Sequence, residues 1–419
     1  MSFLDPQNPT VGMPLDLGPG FLRWLMREGR FIANTGDLLK ASAHTLRHLG
    51  LPVDRLGYFQ KTLHPLEWVS ILMWDSVSDT VAQRSGSYDS ARQPIYQDSP
   101  VKLVSEDGVV IRRRLMEPTT PDDFPILDDL RMEGMTDYIA MPLTFSDGEN
   151  HVLTLATRSE QGLTGVSGFS AQLGALALVL EARRSTQIAR TVAESYLGRQ
   201  TGARVLEGAI TQGHRETINA VLWLADLRGF THMSETQPTD EVLAGLGSDF
   251  EAMAEPIAMN GGEILKFMGD GVLAIFPFEC EDSQAEMCKQ AWRGAVEAQD
   301  NLQKLNAERE AVGKDALSFG LALHVGPVTY GNIGAGDRLD FTVIGPSVNL
   351  AARIESLTAQ LKQCILMSAQ FARCAGLKTR HLGNYPLKGI ERPCDIHCPT
   401  PRQMRETLSS ILLDGQDAD

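Results

Sequence analysis

The segment GGEILKFMGDGVLAIF, Gly261 to Phe276, constrains the fold of this chain most. Ile264 to Phe267 and Val272 to Phe276 have the length and residue types of strands. Met268, Gly269, Asp270 and Gly271 join them, with an Asp-Gly pair suited to a tight turn. Asp270 at its rim has two readings, a turn former or a carboxylate held out to a ligand.

A second acid decides between them. In AVLWLADLRGFT, Ala220 to Ala225 reads as a buried strand that delivers Asp226 at its end, and Leu227 to Thr231 then turn into a helix running toward Ser248 and Ile257. An Asp before a turn is most often an N-cap. A carboxylate at a strand end followed by Gly229 and a helix start also suits a metal beside a triphosphate, with backbone N–H groups toward the phosphates. Two carboxylates on neighbouring strands can hold two Mg²⁺ or Mn²⁺ roughly 3.5–4 Å apart.

The third informative stretch is FGLALHVGPVTYGNIGAGDRLDFTVIGPSVNLAARIESL. It predicts a strand from Phe319 to Val325, a glycine-rich excursion, a strand from Leu339 to Ile344 and a helix from about Ser347. GNIGAG has spaced glycines, yet no strand leads directly into it and no helix follows directly, which argues against a dinucleotide-binding turn. On the helix, Asn349 and Arg353 are four apart and share a face. An exposed Arg is usually just solvated; here the pair has the chemistry of an amide that orients a ribose and a guanidinium that steadies a transferring phosphoryl group.

Composition limits the partners. The 419 residues carry a formal net charge of −15, with Lys and Arg scattered singly, so a phosphate-backbone footprint is not expected. An acidic protein that binds a nucleoside triphosphate needs metal ions to offset the like charge. All six cysteines lie in the second half without a CxxC pair; Cys394 and Cys398 flank His397, but a structural zinc site wants four ligands. They read as reduced thiols of a cytoplasmic protein. The opening residues lack a secretory pattern, and the apolar run Leu173 to Leu180 is too short to span a bilayer, so no membrane anchor is expected.

The first half reads as a different module. Residues 1–20 are rich in Pro, Gly and Asn and read as a loose arm. Arg23 to Leu51 carries helix-period apolar positions. Trp68 to Trp74, Tyr138 to Leu143 and His151 to Thr157 read as strands, the last two a hairpin around FSDGEN. A closing helix, Phe169 to Arg184, continues through Thr186 to Leu197, either packed on its own domain or paired in a parallel dimer. In order and size residues 21–184 resemble a GAF-type sensor, a mixed α/β domain that would take a small regulatory ligand or partner. Gly198 to Ile210 interrupts the helix, so residues 185–215 are expected to form a linker, 216–400 a second domain and 401–419 a tail.

Together ADLRGFT, GGEILKFMGDGVLAIF and FTVIGPSVNLAAR resemble the class III adenylate and guanylate cyclases, in order and spacing over about the last 190 residues. The resemblance implies an α+β, ferredoxin-like sandwich that joins a second copy head to tail, with catalytic sites at the homodimer interface. It implies that Asp226, Asp270 and the backbone of Leu227 meet two Mg²⁺ or Mn²⁺ ions, and that Phe230 and Thr231 lie in the substrate loop. Asn349 and Arg353 match the ribose-orienting and transition-state residues, Lys388 of YPLKGIERP resembles a Lys on the terminal phosphates, and Lys266 and Thr342 match the base-reading pair. Adenine presents an acceptor at N1 and a donor at N6, which suit an ammonium and a threonine oxygen. Guanylate cyclases carry Glu where Lys266 stands, whereas many adenylate cyclases carry Asp where Thr342 stands. The expectation is therefore ATP converted to cyclic AMP and pyrophosphate, with a guanylate cyclase or a catalytically degenerate binding module as alternatives. A diguanylate cyclase fits less well, because Gly261 and Gly262 precede the strand rather than form the turn. His232, just after the loop, reads as a surface histidine rather than a general base.

Overall fold

The computed structural model describes residues 20–116, 123–208, 215–335, 338–390 and 392–416. Two compact units divide the chain between Val192 and Ala193.

The first unit contains α1 (Gly20–Arg27), α2 (Thr35–His48), β1 (Arg55–Lys61), β2 (Val69–Asp75), β3 (Thr80–Gly86), α3 (Pro94–Gln97), α4 (Pro100–Asp107), β4 (Ile111–Arg114), α5 (Ile126–Met132), β5 (Asp137–Thr144), β6 (Asn150–Thr157), α6 (Val166–Ser170) and most of α7 (Leu173–Leu197). Its sheet runs β3-β2-β1-β6-β5-β4, each pair antiparallel. One face packs against α1, α2 and α7 through Phe21, Leu39, Leu46, Trp74, Leu155 and Leu180. The other packs against α4 and α5 through Val104, Leu127, Leu130 and Tyr138. The expected hairpin at FSDGEN forms between β5 and β6.

The single helix expected over Arg23 to Leu51 is instead two. The chain breaks after Arg27, and Asn34, in an extended conformation, caps α2 by accepting from the N–H groups of Gly36 and Asp37. Both helices contribute to one core, through Phe21 and Leu25 and through Leu38, Leu39 and Leu46, and the cap at Asn34 was the sequence signal that separates them.

The second unit opens with the end of α7 and α8 (Arg199–Leu206), then β7 (Arg215–Leu227), α9 (Phe230–Thr236), α10 (Thr239–Met259), β8 (Glu263–Met268), β9 (Gly271–Phe278), α11 (Glu281–Ala311) and β10 (Phe319–Ala335). From β7 to β10, leaving α9 aside, the order is βαββαβ, and the strands lie β10-β7-β9-β8, all antiparallel. That is the ferredoxin-like α+β sandwich expected. It continues with β11 (Arg338–Ile344), α12 (Pro346–Leu361), β12 (Ile365–Ser368), α13 (Ala369–Cys374), β13 (Thr379–Tyr385), β14 (Cys394–Pro399) and α14 (Pro401–Gln416); β12 runs parallel to β10 and joins β14 and β13 to the sheet. Strand alternation separates two cores. Val221, Trp223, Ala225 and Leu227 pack with Met253, Ile257, Ala291 and Trp292 of α10 and α11. Ala220, Leu222 and Leu224 face Phe341, Val343 and Ala351 of β11 and α12.

Two sequence expectations change here. GNIGAG is not an excursion: β10 runs on through Gly331 to Ala335 and pairs with β11 from Thr329↔Ile344 to Ala335↔Arg338. The glycines lower strand propensity, but their hairpin partner β11 supplies the hydrogen bonds that hold them in a strand. The segment expected as a tail forms α14, whose Met404, Leu408 and Ile411 pack on the core beneath α11. Residues 209–214 of the expected linker lie outside the described residues.

Candidate active site

The end of β7 and the β8–β9 turn meet by register. Asp226 pairs with Gly271, Met268 pairs with Gly271 to close a two-residue loop of Gly269 and Asp270, and the Leu227 N–H donates to the Asp270 carbonyl at 3.2 Å. The loop differs slightly from the expected Asp-Gly turn: Gly271 already belongs to β9, and Gly269 takes the positive φ, 67°. This leaves Asp270 as the second loop residue, beside Asp226. The two half-buried carboxyls lie side by side, and burial followed by the Asp270 charge raises the Asp226 carboxyl to about 6. Two carboxylates this close cannot both ionise freely unless a cation joins them.

Two further acids belong to the same neighbourhood, and neither was singled out from sequence. Glu355 of α12 sits over Gly320, the cross-strand partner of Asp226, and burial followed by the Asp226 charge raises its carboxyl to about 7. Asp249 of α10 is fully buried, neither of its carboxyl oxygens has a hydrogen-bond partner, and burial followed by the charges of Asp226 and Asp270 raises it to about 7. The signal was present: Asp249 interrupts the buried stripe Val242, Gly245, Ala252, Met253 with an acid at helical spacing.

This donor set fits a hard divalent cation: oxygen ligands only, and an excess of negative charge that a cation would relieve. Among the described residues no group of three or more His, Cys, Asp and Glu has metal-holding geometry.

Asp249 has a measurable consequence. Its folded pKa lies above its unfolded value, so its contribution to stability is full below about pH 4 and is lost as pH rises toward about 7. Without divalent cations, Asp249→Asn should flatten the fall in stability between pH 5 and pH 7, where one proton held only by the folded state gives a slope of at most about 1.4 kcal/mol per pH unit. Urea melts across that range check it, and an unchanged slope would exclude Asp249 as the source.

The remaining expected site residues fall into separate groups. Phe230 opens α9 half-buried against the core, after Gly229 at φ 74° turns the chain; the Thr231 side chain lies outside the described residues, and His232 is exposed. Lys266 donates to Asp340 of β11 at 2.9 Å. Thr342, two residues along the same strand, is buried with an unpartnered hydroxyl. Asn349 and Arg353 lie on the exposed side of α12, and among the described residues no side-chain hydrogen bond or ion pair joins them to Asp226 or Asp270. Lys388 is exposed in the turn between β13 and β14. His397 bonds to Thr379 at 2.9 Å, a structural partner rather than a metal.

Residues 214–398 match the family model of the adenylate and guanylate cyclase catalytic domain. The chain is 30% identical over 185 residues to adenylate cyclase 1 of Rhizobium meliloti (strain 1021), covering 44% of this chain and 27% of that one. It is 34% identical over 212 residues to the adenylate cyclase of Anabaena cylindrica, covering 50% of this chain and 37% of that one. The chain therefore spans well under half the length of these relatives. Among solved structures, the adenylyl cyclase CyaB from P. aeruginosa aligns at 26% identity and TM-score 0.41, over 45% of this chain and 98% of that chain. The guanylyl cyclase Cya2 aligns at 33% identity and TM-score 0.38, over 45% and 93%. Residues 214–398, with an acid pair at the end of their central strand, are therefore an adenylate and guanylate cyclase catalytic domain by family match.

Proposed function

We propose that the second unit converts ATP to 3′,5′-cyclic AMP and pyrophosphate, at sites completed by a second copy of the chain, under control of the first unit. The observation that carries this reading is the Asp226–Asp270 pair, held together by strand register and short of a counter-charge. Asp226 and Asp270 would hold two Mg²⁺ or Mn²⁺ ions, with the Leu227 backbone beside them. Bound there, divalent cations supply neutralisation of the triphosphate and acidify a coordinated hydroxyl.

The rest of the chemistry falls to side chains. Lys266 and Thr342 take the adenine edge, Phe230 and Thr231 border the substrate loop, and Asn349 orients the ribose. The ribose 3′-oxygen then forms a bond to the α-phosphorus as the bond to the β-phosphate oxygen breaks, and the hydroxyl proton passes to a carboxylate of the pair. Arg353 balances charge on the α-phosphoryl group, and Lys388 meets the leaving pyrophosphate. No covalent enzyme intermediate is required.

The geometry of α12 supports a shared site. Glu355 reaches Asp226 of its own chain, and Arg353, two residues earlier, projects about 200° around the helix. A side chain on the far side of α12 serves a different acid pair more readily than its own. The antiparallel six-stranded sheet of the first unit, covered by helices on both faces, supports the reading of a GAF-like sensory module. No described helix is long and apolar enough to cross a membrane, in keeping with a cytoplasmic enzyme.

One observation favours a second substrate. The unpartnered Thr342 hydroxyl can donate or accept, so it answers guanine O6 as well as adenine N6. Equimolar ATP and GTP offered to the full chain with Mn²⁺ should give mainly cyclic AMP. Dominant cyclic GMP would make the enzyme a guanylate cyclase.

A further inference from the structure

We infer that Asp340 is a positioning residue for base selection, which anchors the Lys266 ammonium beside the Thr342 hydroxyl. The inference rests on the reading of Lys266 and Thr342 as the base-contacting pair, and it adds a third member that fixes where the ammonium sits.

Successive side chains of β11 alternate in direction, so Asp340 and Thr342 share a face, one strand repeat apart. On the facing hairpin, the register of β8 against β9 shifts between Ile264 and Lys266, an irregularity of the kind that re-aims a side chain. Apolar anchors hold Lys266 on both sides: Leu265 packs in the core with Phe341 and Val343, and Phe267 packs on Phe250 with ring centroids 4.4 Å apart. The Lys266 ammonium then meets the Asp340 carboxylate at 2.9 Å.

A lysine reaches its target through a flexible four-carbon stem, and an unanchored ammonium would have to be ordered each time a nucleotide binds. Asp340 orders it beforehand. An ammonium has three N–H donors, and Asp340 uses one, so donors remain for adenine N1. Asp340 is itself 59% exposed, so the pair need not break to admit a base. Thr342, one strand repeat from Asp340, has a buried hydroxyl with no hydrogen-bond partner in its own chain. Guanine would point its N1–H donor at a cation that Asp340 prevents from swinging aside, so the anchor adds discrimination as well as affinity.

The test uses the full chain with ATP and GTP and four proteins: the parent, Asp340→Ala, Asp340→Glu and Lys266→Met. Asp340→Ala should raise KM for ATP about tenfold, leave kcat within about threefold, and lower the ATP to GTP ratio of kcat/KM about tenfold. Asp340→Glu should recover most of both losses. Binding of a fluorescent ATP analogue should weaken in parallel with KM. An Asp340→Ala protein with unchanged KM and selectivity overturns the inference, and so does a lower KM, which would mean that Asp340 competes with the nucleotide for Lys266. Lys266→Met separates this from the underlying reading: if it leaves selectivity intact, the base-reading pair itself is wrong. If Lys266→Met abolishes selectivity while Asp340→Ala does not, only the role of Asp340 falls.

Discussion

Asp270→Ala is expected to lower cyclase turnover by at least about a thousandfold, because on the proposed reading it leaves a single carboxylate where two would hold the cations that neutralise a triphosphate. The same substitution should not cost folding. Asp270 is a half-buried loop residue beside a like charge, and the pair is a source of repulsion in the cation-free protein. Removing Asp270 should let the Asp226 carboxyl fall from about 6 toward its ordinary value. In chelator, the melting temperature should therefore match or exceed that of the parent, and added Mn²⁺ should stabilise the parent but not the variant. Turnover within tenfold of the parent would remove the acid pair from the mechanism.

Arg353→Ala is expected to cost about a hundredfold to a thousandfold in kcat with little change in KM, the pattern of a group that acts mainly on charge developed in the transition state. The informative experiment mixes the two inactive proteins. If each site takes its acids from one copy and its arginine from the other, an Asp270→Ala and Arg353→Ala heterodimer contains one intact site and one doubly damaged one. Random re-pairing of equal amounts then restores about a quarter of the parent activity, since half of the dimers are mixed and each has half its sites. Proven heterodimers with no activity would mean that both groups act within one chain.

The sequence made the acid pair legible because hairpins and strand ends are local. Asp226 closes an apolar run and Asp270 sits in a four-residue turn, whereas the pairing of their strands is a feature of the fold. The helix face shared by Asn349 and Arg353 was legible for the same reason. Long-range neighbours were not. Glu355 reaches Asp226 from a helix far along the chain, and Asp249 from α10 close by; the buried stripe of α10 marks Asp249 as an inward acid, but no linear pattern says which strand end it faces. Asp340 was missed differently, because its partner Lys266 lies 74 residues earlier and the bond depends on how the β10–β11 hairpin lies against the sheet. The extension of β10 through GNIGAG was hidden by glycines whose strand conformation comes from pairing rather than propensity.

The central claim is that this chain closes a phosphodiester ring on a purine nucleotide. The most direct measurement is product analysis of the purified full chain given ATP with Mg²⁺ or Mn²⁺, by chromatography and phosphorus NMR. The expected result is 3′,5′-cyclic AMP and pyrophosphate in equal amounts, abolished by Asp270→Ala. ADP and orthophosphate as the products, or no cyclic nucleotide from either ATP or GTP with either metal, would contradict it.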